Sequence, residues 1–190
     1  MHRLDRDTTG LLVVAKTDAA YAGLVDALHD RRVVRRYLAL VEGHPRDRRG
    51  RIEGPIGRDP RDRVRFAVVA DGRPAVTRYT VLSVGSVETT RGVVEVAWLS
   101  CELGTGRTHQ VRVHLSTMGH PLVGDTTYRG SATLARAVGI ERPALHAAHL
   151  AFTHPITGAE VAVDEPLPGD LAAALARAGI DVPSEGPGPG

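Results

Sequence analysis

Apolar and polar residues recur along the 190-residue chain with two spacings, which predict different elements. Apolar, β-branched runs bounded by glycine or charged residues are typical of strands, whereas apolar residues three and four positions apart are typical of helices. Strands are predicted at Leu11–Ala15, Tyr37–Glu42, Thr77–Val84, Gly92–Leu103, Ala148–Thr153 and Glu160–Val163. Because strand runs outnumber helical ones and seldom alternate with them, the pattern favours an α+β fold over a doubly wound sheet.

Three helices are predicted from the wider spacing. The first follows Asp18, a residue type that caps helix N termini, and extends to about Arg32. The segment Thr108–Met118 fits either a strand or a helix, and Gly119 favours the helix because glycine commonly follows a helix C terminus. The third helix carries on one face Leu171, Ala174, Leu175 and Ala178.

Two segments follow neither spacing. His44–Arg65 is rich in Arg, Asp, Gly and Pro, and is predicted to be a long basic loop with one short strand. The Pro/Gly-rich residues 183–190 are predicted to be a disordered tail. Residues 1–182 then form one domain, which is long enough to bury a core without disulfides.

Composition narrows the possible environments. Cys101 is the only cysteine, which excludes a disulfide framework and a thiolate metal site and favours a reducing compartment, hence the cytoplasm. No apolar run reaches the roughly 18 residues that a membrane span needs, and no signal peptide is visible. The chain is therefore expected to act away from membranes.

The charged residues are mostly arginine and aspartate or glutamate. Lys+Arg number 24 against 22 Asp+Glu, for a net charge of +2, and Lys16 is the only lysine. A GC-rich coding sequence would account for most of this bias, but arginine is also the residue suited to bidentate binding of phosphates. The composition thus permits a nucleic-acid partner without requiring one.

The first candidate site is the polar segment that precedes the first predicted strand. His2–Gly10 brings two carboxylates, two guanidinium groups and an imidazole together within nine residues. Chain ends are usually solvated, but the junction with a strand would place Asp5 near a sheet edge. Strand alternation puts Asp5 and Asp7 on the same side, so the pattern alone does not choose between the two carboxylates.

The second candidate site is the glycine-rich segment Gly104–His114. Its glycines allow a ligand to approach the backbone, and the helix N terminus that follows suits an anion. It lacks the Lys-Ser/Thr ending of a P-loop, and His109 and His114 are five residues apart rather than the four of a zinc-binding helix. Metal binding is therefore not expected. Taken alone, Arg107 and Arg112 fit ordinary surface arginines as well as ligand-binding ones.

Together the two segments closely resemble motifs of the RluA-type pseudouridine synthases. His-Arg-Leu-Asp with Thr-Thr-Gly and Leu11–Lys16 is similar to one motif, and Arg36–Gly43 is similar to the motif that carries an active-site tyrosine. Leu103–Leu115, with Met118–Asp125, matches a third motif over about 25 residues. The resemblance covers roughly residues 2–168.

The resemblance implies a fold and a reaction. The fold would be a mixed, largely antiparallel sheet flanked by helices, with a central cleft. The reaction would convert uridine to pseudouridine in structured RNA, more often large-subunit ribosomal RNA than transfer RNA, without a cofactor or metal. The protein is expected to act as a monomer.

The resemblance also assigns roles to residues. Asp5 would be the nucleophile, Arg112 its ion-pair partner, and Tyr37 the residue that stacks on the uracil. The residues expected to bind RNA are Arg3, which would enter the RNA where the target nucleotide flips out, and Arg107, His109 and Gln110. The point of attack, C6 of the base or C1′ of the ribose, and a possible glycal intermediate are left open.

Neighbouring charged residues receive structural or undecided roles. Asp7 is expected to serve the turn, and Asp125 to hold a loop in place. The arginines between Arg46 and Arg65 fit phosphate-binding and solvated roles equally well.

The chain departs from the family pattern at two places. Thr9 replaces a more common serine and keeps the hydroxyl group. Family members carry a strand and a Lys-Pro-Gly segment before the His-Arg-Leu-Asp motif, so this chain is expected to lack an N-terminal piece. A non-catalytic RNA-binding remnant is the alternative function.

Overall fold

A mixed seven-stranded sheet organises the protein, for which the computed structural model describes residues 2–181. The strands are β1 (Thr9–Gly10), β2 (Val34–Glu42), β3 (Arg49–Glu53), β4 (Ile56–Arg58), β5 (Phe66–Val68), β6 (Val76–Thr89), β7 (Gly92–Leu103), β8 (Leu145–Thr153) and β9 (Glu160–Asp164). The helices are α1 (Asp18–His29), α2 (Gln110–Thr117), α3 (Ala132–Val138) and α4 (Gly169–Arg177), with a 3₁₀ turn at Thr126–Tyr128.

The order of the main sheet is β1-β8-β2-β7-β6-β3, with β9 also paired to β8. The β1–β8 pair is parallel and the other pairs of this sheet are antiparallel. Strands β4 and β5 form a separate hairpin. The prediction of an α+β fold with a mixed, largely antiparallel sheet is therefore confirmed.

Strand β2 is buried on both faces and separates two hydrophobic clusters. Leu38 and Leu40 face one cluster, which contains Trp98 and the apolar faces of α3 and α4. Tyr37 and Ala39 face the other cluster, against helix α2. Because side chains alternate along a strand, residues at odd positions of β2 share one face of the sheet. The cleft lies on this face.

The predicted strand Leu11–Ala15 is wrong, because regular pairing ends at Gly10. Leu11 N–H donates to Ala147 O at 2.9 Å, and β9 occupies that edge of β8 from His149 onward. The chain beyond Leu11 is extended but has no strand to pair with. Its alternate side chains pack on α1 and β8, while Leu12 and Val14 are exposed.

Two other predictions need correction. The N-cap of α1 is Thr17, whose hydroxyl accepts from Ala20 N–H at 3.2 Å, and the helix ends at His29. The predicted loop at 44–65 contains strands β3 and β4 instead of one short strand. β3 alternates between exposed and half-buried residues, but its arginines and glycine hide that pattern.

The ambiguous segment before Gly119 forms helix α2, as predicted. The strand predictions that correspond to β2, β6, β7, β8 and β9 are confirmed, with shifted ends, and so is the last helix. The predicted tail at 183–190 lies outside the described residues. Within residues 2–181, no helix has the length and apolar character needed to cross a membrane.

The junction between β1 and β8 can be tested with two glycines of matching backbone conformation. Gly10 has φ +106°, and a Cβ there would lie 2.2 Å from Ala147 O, whereas Gly92 has φ +107° with open space around it. We expect Gly92→Ala to lower the free energy of unfolding by about 1 kcal/mol, from backbone strain. Gly10→Ala adds a steric clash, so we expect about 1–3 kcal/mol more. Urea unfolding of both variants measures the difference, and equal losses would contradict this account of β1.

Candidate active site

A cavity of about 170 Å³ opens on the Tyr37 face of the sheet. Its walls come from the segment before β1, from β2 and from the loop that precedes α2. Five residues singled out in the sequence line it: Arg3, Asp5, Tyr37, Arg107 and Gln110. The structure thus brings together segments that are up to about 100 residues apart in the chain.

A tight turn distinguishes the two carboxylates of the first segment. Thr8 N–H donates to Asp5 O at 3.1 Å, and Asp7 at the turn has φ +66°. The side chain of Asp5 is 15% exposed and faces the cavity, whereas that of Asp7 is 55% exposed and lies 3.6 Å from Arg6 Nε. The turn therefore places the Asp5 carboxylate in the cleft and the Asp7 carboxylate outside it.

Arg112 makes its closest ion pair with Asp125, not with Asp5. Its Nε and Nη2 donate to the two carboxylate oxygens of Asp125 at 2.7 and 2.8 Å. Its Nη1 lies 3.9 Å from Oδ2 of Asp5. The expected ion pair between Arg112 and Asp5 is therefore present as the longer of two: a bidentate fork binds Asp125, and the remaining nitrogen is directed at Asp5.

The surroundings keep Arg112 charged and in place. Burial opposes the charged form, but hydrogen bonds and the charges of Asp125 and Asp5 raise the pKa of Arg112 above its ordinary value. The guanidinium also lies 4.9 Å from the ring centroid of Tyr128. Asp125 caps the 3₁₀ turn as well, since its carboxylate accepts from Tyr128 N–H. It holds the loop as expected and also positions Arg112.

Tyr37 lies on β2 beside Asp5. It is buried in the cluster that contains α2, and it also lines the cavity. Burial raises the pKa of its hydroxyl; the charge of Arg35 opposes the shift and that of Asp5 adds to it. Tyr37 is therefore neutral at physiological pH, with its ring available at the cavity wall.

Gln110 holds the glycine-rich loop in place. Its Oε1 accepts from the Thr105 hydroxyl at 2.7 Å and from Arg107 N–H at 3.0 Å. Its Nε2 donates to Val76 O and Thr77 Oγ1. Because these bonds occupy both ends of a buried amide, they indicate a positioning role, and the expected contact of Gln110 with RNA stays a prediction.

His109 lies behind the cavity wall. Phe66 N–H donates to the Tyr128 hydroxyl at 3.1 Å, and that hydroxyl lies 2.7 Å from His109 Nδ1. The Tyr128 hydroxyl thus links Phe66 to His109. Burial lowers the pKa of His109, although the nearby Asp5 opposes this. The ring thus joins α2 to the β4–β5 hairpin.

Arg3 and Arg107 provide cationic groups at the edge of the cleft. Arg3 is exposed, and Arg107 is half-buried with its Nε donating to Pro74 O at 3.1 Å. Burial lowers the pKa of Arg107, and the neighbouring charges of Arg73 and Arg31 lower it further. These arginines create a positive potential that favours an anionic ligand.

The cavity wall also contains His2 and Thr8, which the sequence analysis placed in the first candidate site without a role, and Arg35, which it missed. Arg35 was detectable in principle, because it lies two positions before Tyr37 and strand alternation puts both on one face. The histidine of α2, His114, is buried between Thr77 Oγ1 and Gly54 O. Across residues 2–181 no three His, Cys, Asp or Glu side chains are placed to hold a metal ion.

Comparison with known proteins relates the chain to one family. A sequence model described as RNA pseudouridylate synthase matches residues 1–117. A "Ribosomal large subunit pseudouridine synthase D" from Zymomonas mobilis is 44% identical over 177 residues, which cover 90% of this chain and 53% of that protein. A protein of the same name from Nitrosomonas europaea is 48% identical over 179 residues, covering 92% and 49%. The chain spans about half the length of these curated relatives.

Solved structures give the same relationship. "Human RNA Pseudouridylate Synthase Domain Containing 1" superposes with a TM-score of 0.73 at 34% identity, covering 88% of this chain and 68% of that one. "Human RNA Pseudouridylate Synthase Domain Containing 4" also reaches 0.73, at 26% identity, covering 96% and 76%. The matched motifs and the shared fold show that the chain belongs to the RNA pseudouridylate synthase family, and its resemblance to the RluA type is confirmed.

Proposed function

We propose that this protein converts uridine to pseudouridine in RNA, with Asp5 as the nucleophile. The observation that carries the proposal is the placement of Asp5, a largely buried carboxylate in the cleft, opposite an arginine that a second carboxylate holds in place. A nucleophilic carboxylate must be held in one orientation, and the nearby cation favours this.

The reaction exchanges one bond for another and needs no net oxidation. Asp5 would form a bond to the substrate at C6 of the base or C1′ of the ribose. The N1–C1′ bond breaks and a C5–C1′ bond forms after the uracil turns. The proton on C5 is lost and N1 gains one, so atoms and electrons balance, and Asp5 is released unchanged.

Tyr37 and Arg112 would act on either side of Asp5. The ring of Tyr37 offers a stacking surface for the flipped uracil, and its neutral hydroxyl can take part in hydrogen bonding. Arg112, held by Asp125, would keep the Asp5 carboxylate oriented during attack. Catalysis then depends on a geometry fixed before the RNA binds.

Arg3 and Arg107 would contact the RNA. The exposed Arg3 would enter the space left by the flipped nucleotide, and Arg107 would bind the backbone nearby. His109 would support this wall from behind. The contacts of two arginines in residues 46–65 favour a solvated role over phosphate binding, since Arg51 pairs with Glu53 and Arg65 with Asp62.

The names of the relatives favour large-subunit ribosomal RNA as the substrate. We propose this target over transfer RNA, with residues 1–182 acting as one catalytic domain of a monomeric, cytoplasmic protein. The alternative is an RNA-binding remnant without turnover. Mapping pseudouridines by carbodiimide-adduct primer extension, after incubation of the protein with unmodified ribosomal and transfer RNA, distinguishes these three outcomes.

The nucleophile can be tested with a matched pair of variants. We expect Asp5→Asn to lower pseudouridine formation by more than about a thousandfold, the scale seen when a covalent nucleophile is removed from other enzymes. RNA binding should survive, because the amide keeps the shape of the side chain. Asp7→Asn, at the exposed turn, should keep activity, since asparagine tolerates a positive φ. Carbodiimide stops of wild-type strength with Asp5→Asn would refute the role of Asp5.

The positioning of Arg112 can be tested through its buried partner. Asp125→Asn leaves a buried cation without its closest charge, so we expect the free energy of unfolding to fall by about 3 kcal/mol. Asp170→Asn breaks a bidentate pair with Arg142 at the surface, where we expect a loss of about 1 kcal/mol or less.

Asp125→Asn should also lower kcat with little change in KM, because Asp125 does not line the cavity. Denaturant unfolding and steady-state kinetics measure the two effects. A stable Asp125→Asn variant with unchanged kcat would show that the Asp125 pair does not position Arg112 for catalysis.

A further inference from the structure

Three polar atoms in the wall of the cleft lack hydrogen-bond partners within the described part of the chain. They are Nε of Arg35, Nδ1 of His2 and Oγ1 of Thr8, and all three are buried. The three residues line the same cavity as Asp5 and Tyr37. Buried polar groups are nearly always hydrogen-bonded, so three unpaired ones around one cavity indicate a polar partner outside residues 2–181.

Arg35 is the cation of this group. The residue is 7% exposed, and no carboxylate of residues 2–181 lies within ion-pair distance of it. Burial lowers its pKa, but an arginine does not lose its proton in a protein. A buried, unpaired cation is unfavourable until an anion joins it.

The loop before α2 leaves room for the guanidinium of Arg35. A Cβ at Gly106 would lie 2.5 Å from Nη1 of Arg35, so only a glycine permits this approach without a shift of the arginine. Arg35 therefore bridges β2 and the glycine-rich loop. This places a fixed positive charge across the cavity, beside the proposed uracil-binding face of Tyr37.

The contacts of His2 make it a donor toward the cavity. Its Nε2 accepts from Val13 N–H at 3.1 Å, so a neutral ring carries its proton on Nδ1. Burial, and then the charge of Arg35, lower the pKa of His2 to about 4, so the ring is neutral at pH 7. The Nδ1–H group and the Thr8 hydroxyl can both donate to an acceptor beside Arg35.

We propose that Arg35, with His2 and Thr8, binds a backbone phosphate of the target nucleotide. A cation, an N–H group and a hydroxyl match a phosphate, which offers negative charge and acceptor oxygens. The proposal rests on the proposed function, because the phosphate is that of the uridine presented to Asp5. Because β2 carries both Arg35 and Tyr37, this strand would then set the position of the nucleotide in the cleft.

Small ligands test this site apart from catalysis. Binding of uridine, uridine 5′-monophosphate, uridine 3′-monophosphate and inorganic phosphate is measured by NMR titration with the Asp5→Asn protein, so that turnover does not interfere. We expect one monophosphate to bind about tenfold more tightly than uridine, the value of one charge-assisted hydrogen bond. The better isomer identifies which flanking phosphate is bound. If inorganic phosphate binds as tightly as that monophosphate, the site is one for free anions and the proposal is overturned.

Neighbouring arginines of β2 supply the matched comparison. Arg35→Gln should remove the preference for the monophosphate, and Arg35→Lys should keep part of it. Arg36→Gln removes the same group from the opposite face, where Arg36 Nη2 lies 3.7 Å from Asp164, and should keep the full preference. Thermal unfolding of each variant separates loss of the site from loss of the fold.

The two proposals fail in different ways. If Arg35→Gln keeps the full preference for a monophosphate over uridine, or if the protein with Arg35 shows no such preference, the phosphate site is refuted whatever the activity of the protein. A phosphate preference that depends on Arg35, in a chain that makes no pseudouridine, would leave the site standing and refute the proposed reaction.

Discussion

The buried ion pair between Arg112 and Asp125 is the constraint on which the cleft depends. Each charge would be unfavourable without the other, so helix α2 and the turn that follows it are held in one relative position. The bidentate fork uses two nitrogens of Arg112 and leaves Nη1 near Asp5. The orientation of the cation is therefore decided by the fold and not by the carboxylate that it faces.

Asp125 also changes the electrostatic environment of Asp5. A guanidinium paired with Asp5 alone would be a neutral unit and would hold that carboxylate tightly. With Asp125 included, the group of three carries a net negative charge, and Asp5 remains the more distant and more exposed member. Such an arrangement keeps the Asp5 carboxylate in the cleft while leaving its oxygens free to react.

The sequence predicted the strands that carry long apolar runs. β2, β7 and β8 belong to this class, because consecutive residues of each strand are buried. Leu11–Ala15 has the same apolar character but no partner strand, since β9 already covers that edge of β8. Strand β3 was hidden for the opposite reason, because its pairing with β6 depends on the backbone and its side chains are mostly polar.

The site was predictable in its residues but less so in their contacts. The resemblance gave Asp5 and Arg112, whereas the pairing of Arg112 with Asp125 depends on how a turn after α2 folds back on the helix. Alternation could not separate Asp5 from Asp7, because a turn and not a strand joins them. Gln110 shows the same limit. Its position in the motif indicated a contact with RNA, but its side-chain oxygen accepts hydrogen bonds from Thr105 and Arg107 of the glycine-rich loop.

The near-neutral charge of the whole chain hides an uneven distribution within the cleft. One carboxylate, Asp5, shares the cavity with Arg3, Arg35 and Arg107, so the cavity wall is positive although the protein carries a net charge of only +2. The arginines differ in what holds them, since Arg107 has a backbone carbonyl and Arg35 has no acceptor among residues 2–181. A GC-rich coding sequence would explain the number of arginines but not the burial of Arg35. An anionic ligand is the partner that such a wall favours. Composition alone does not show whether the arginines bind an anion, but the fold places three of them around the cavity that contains Asp5.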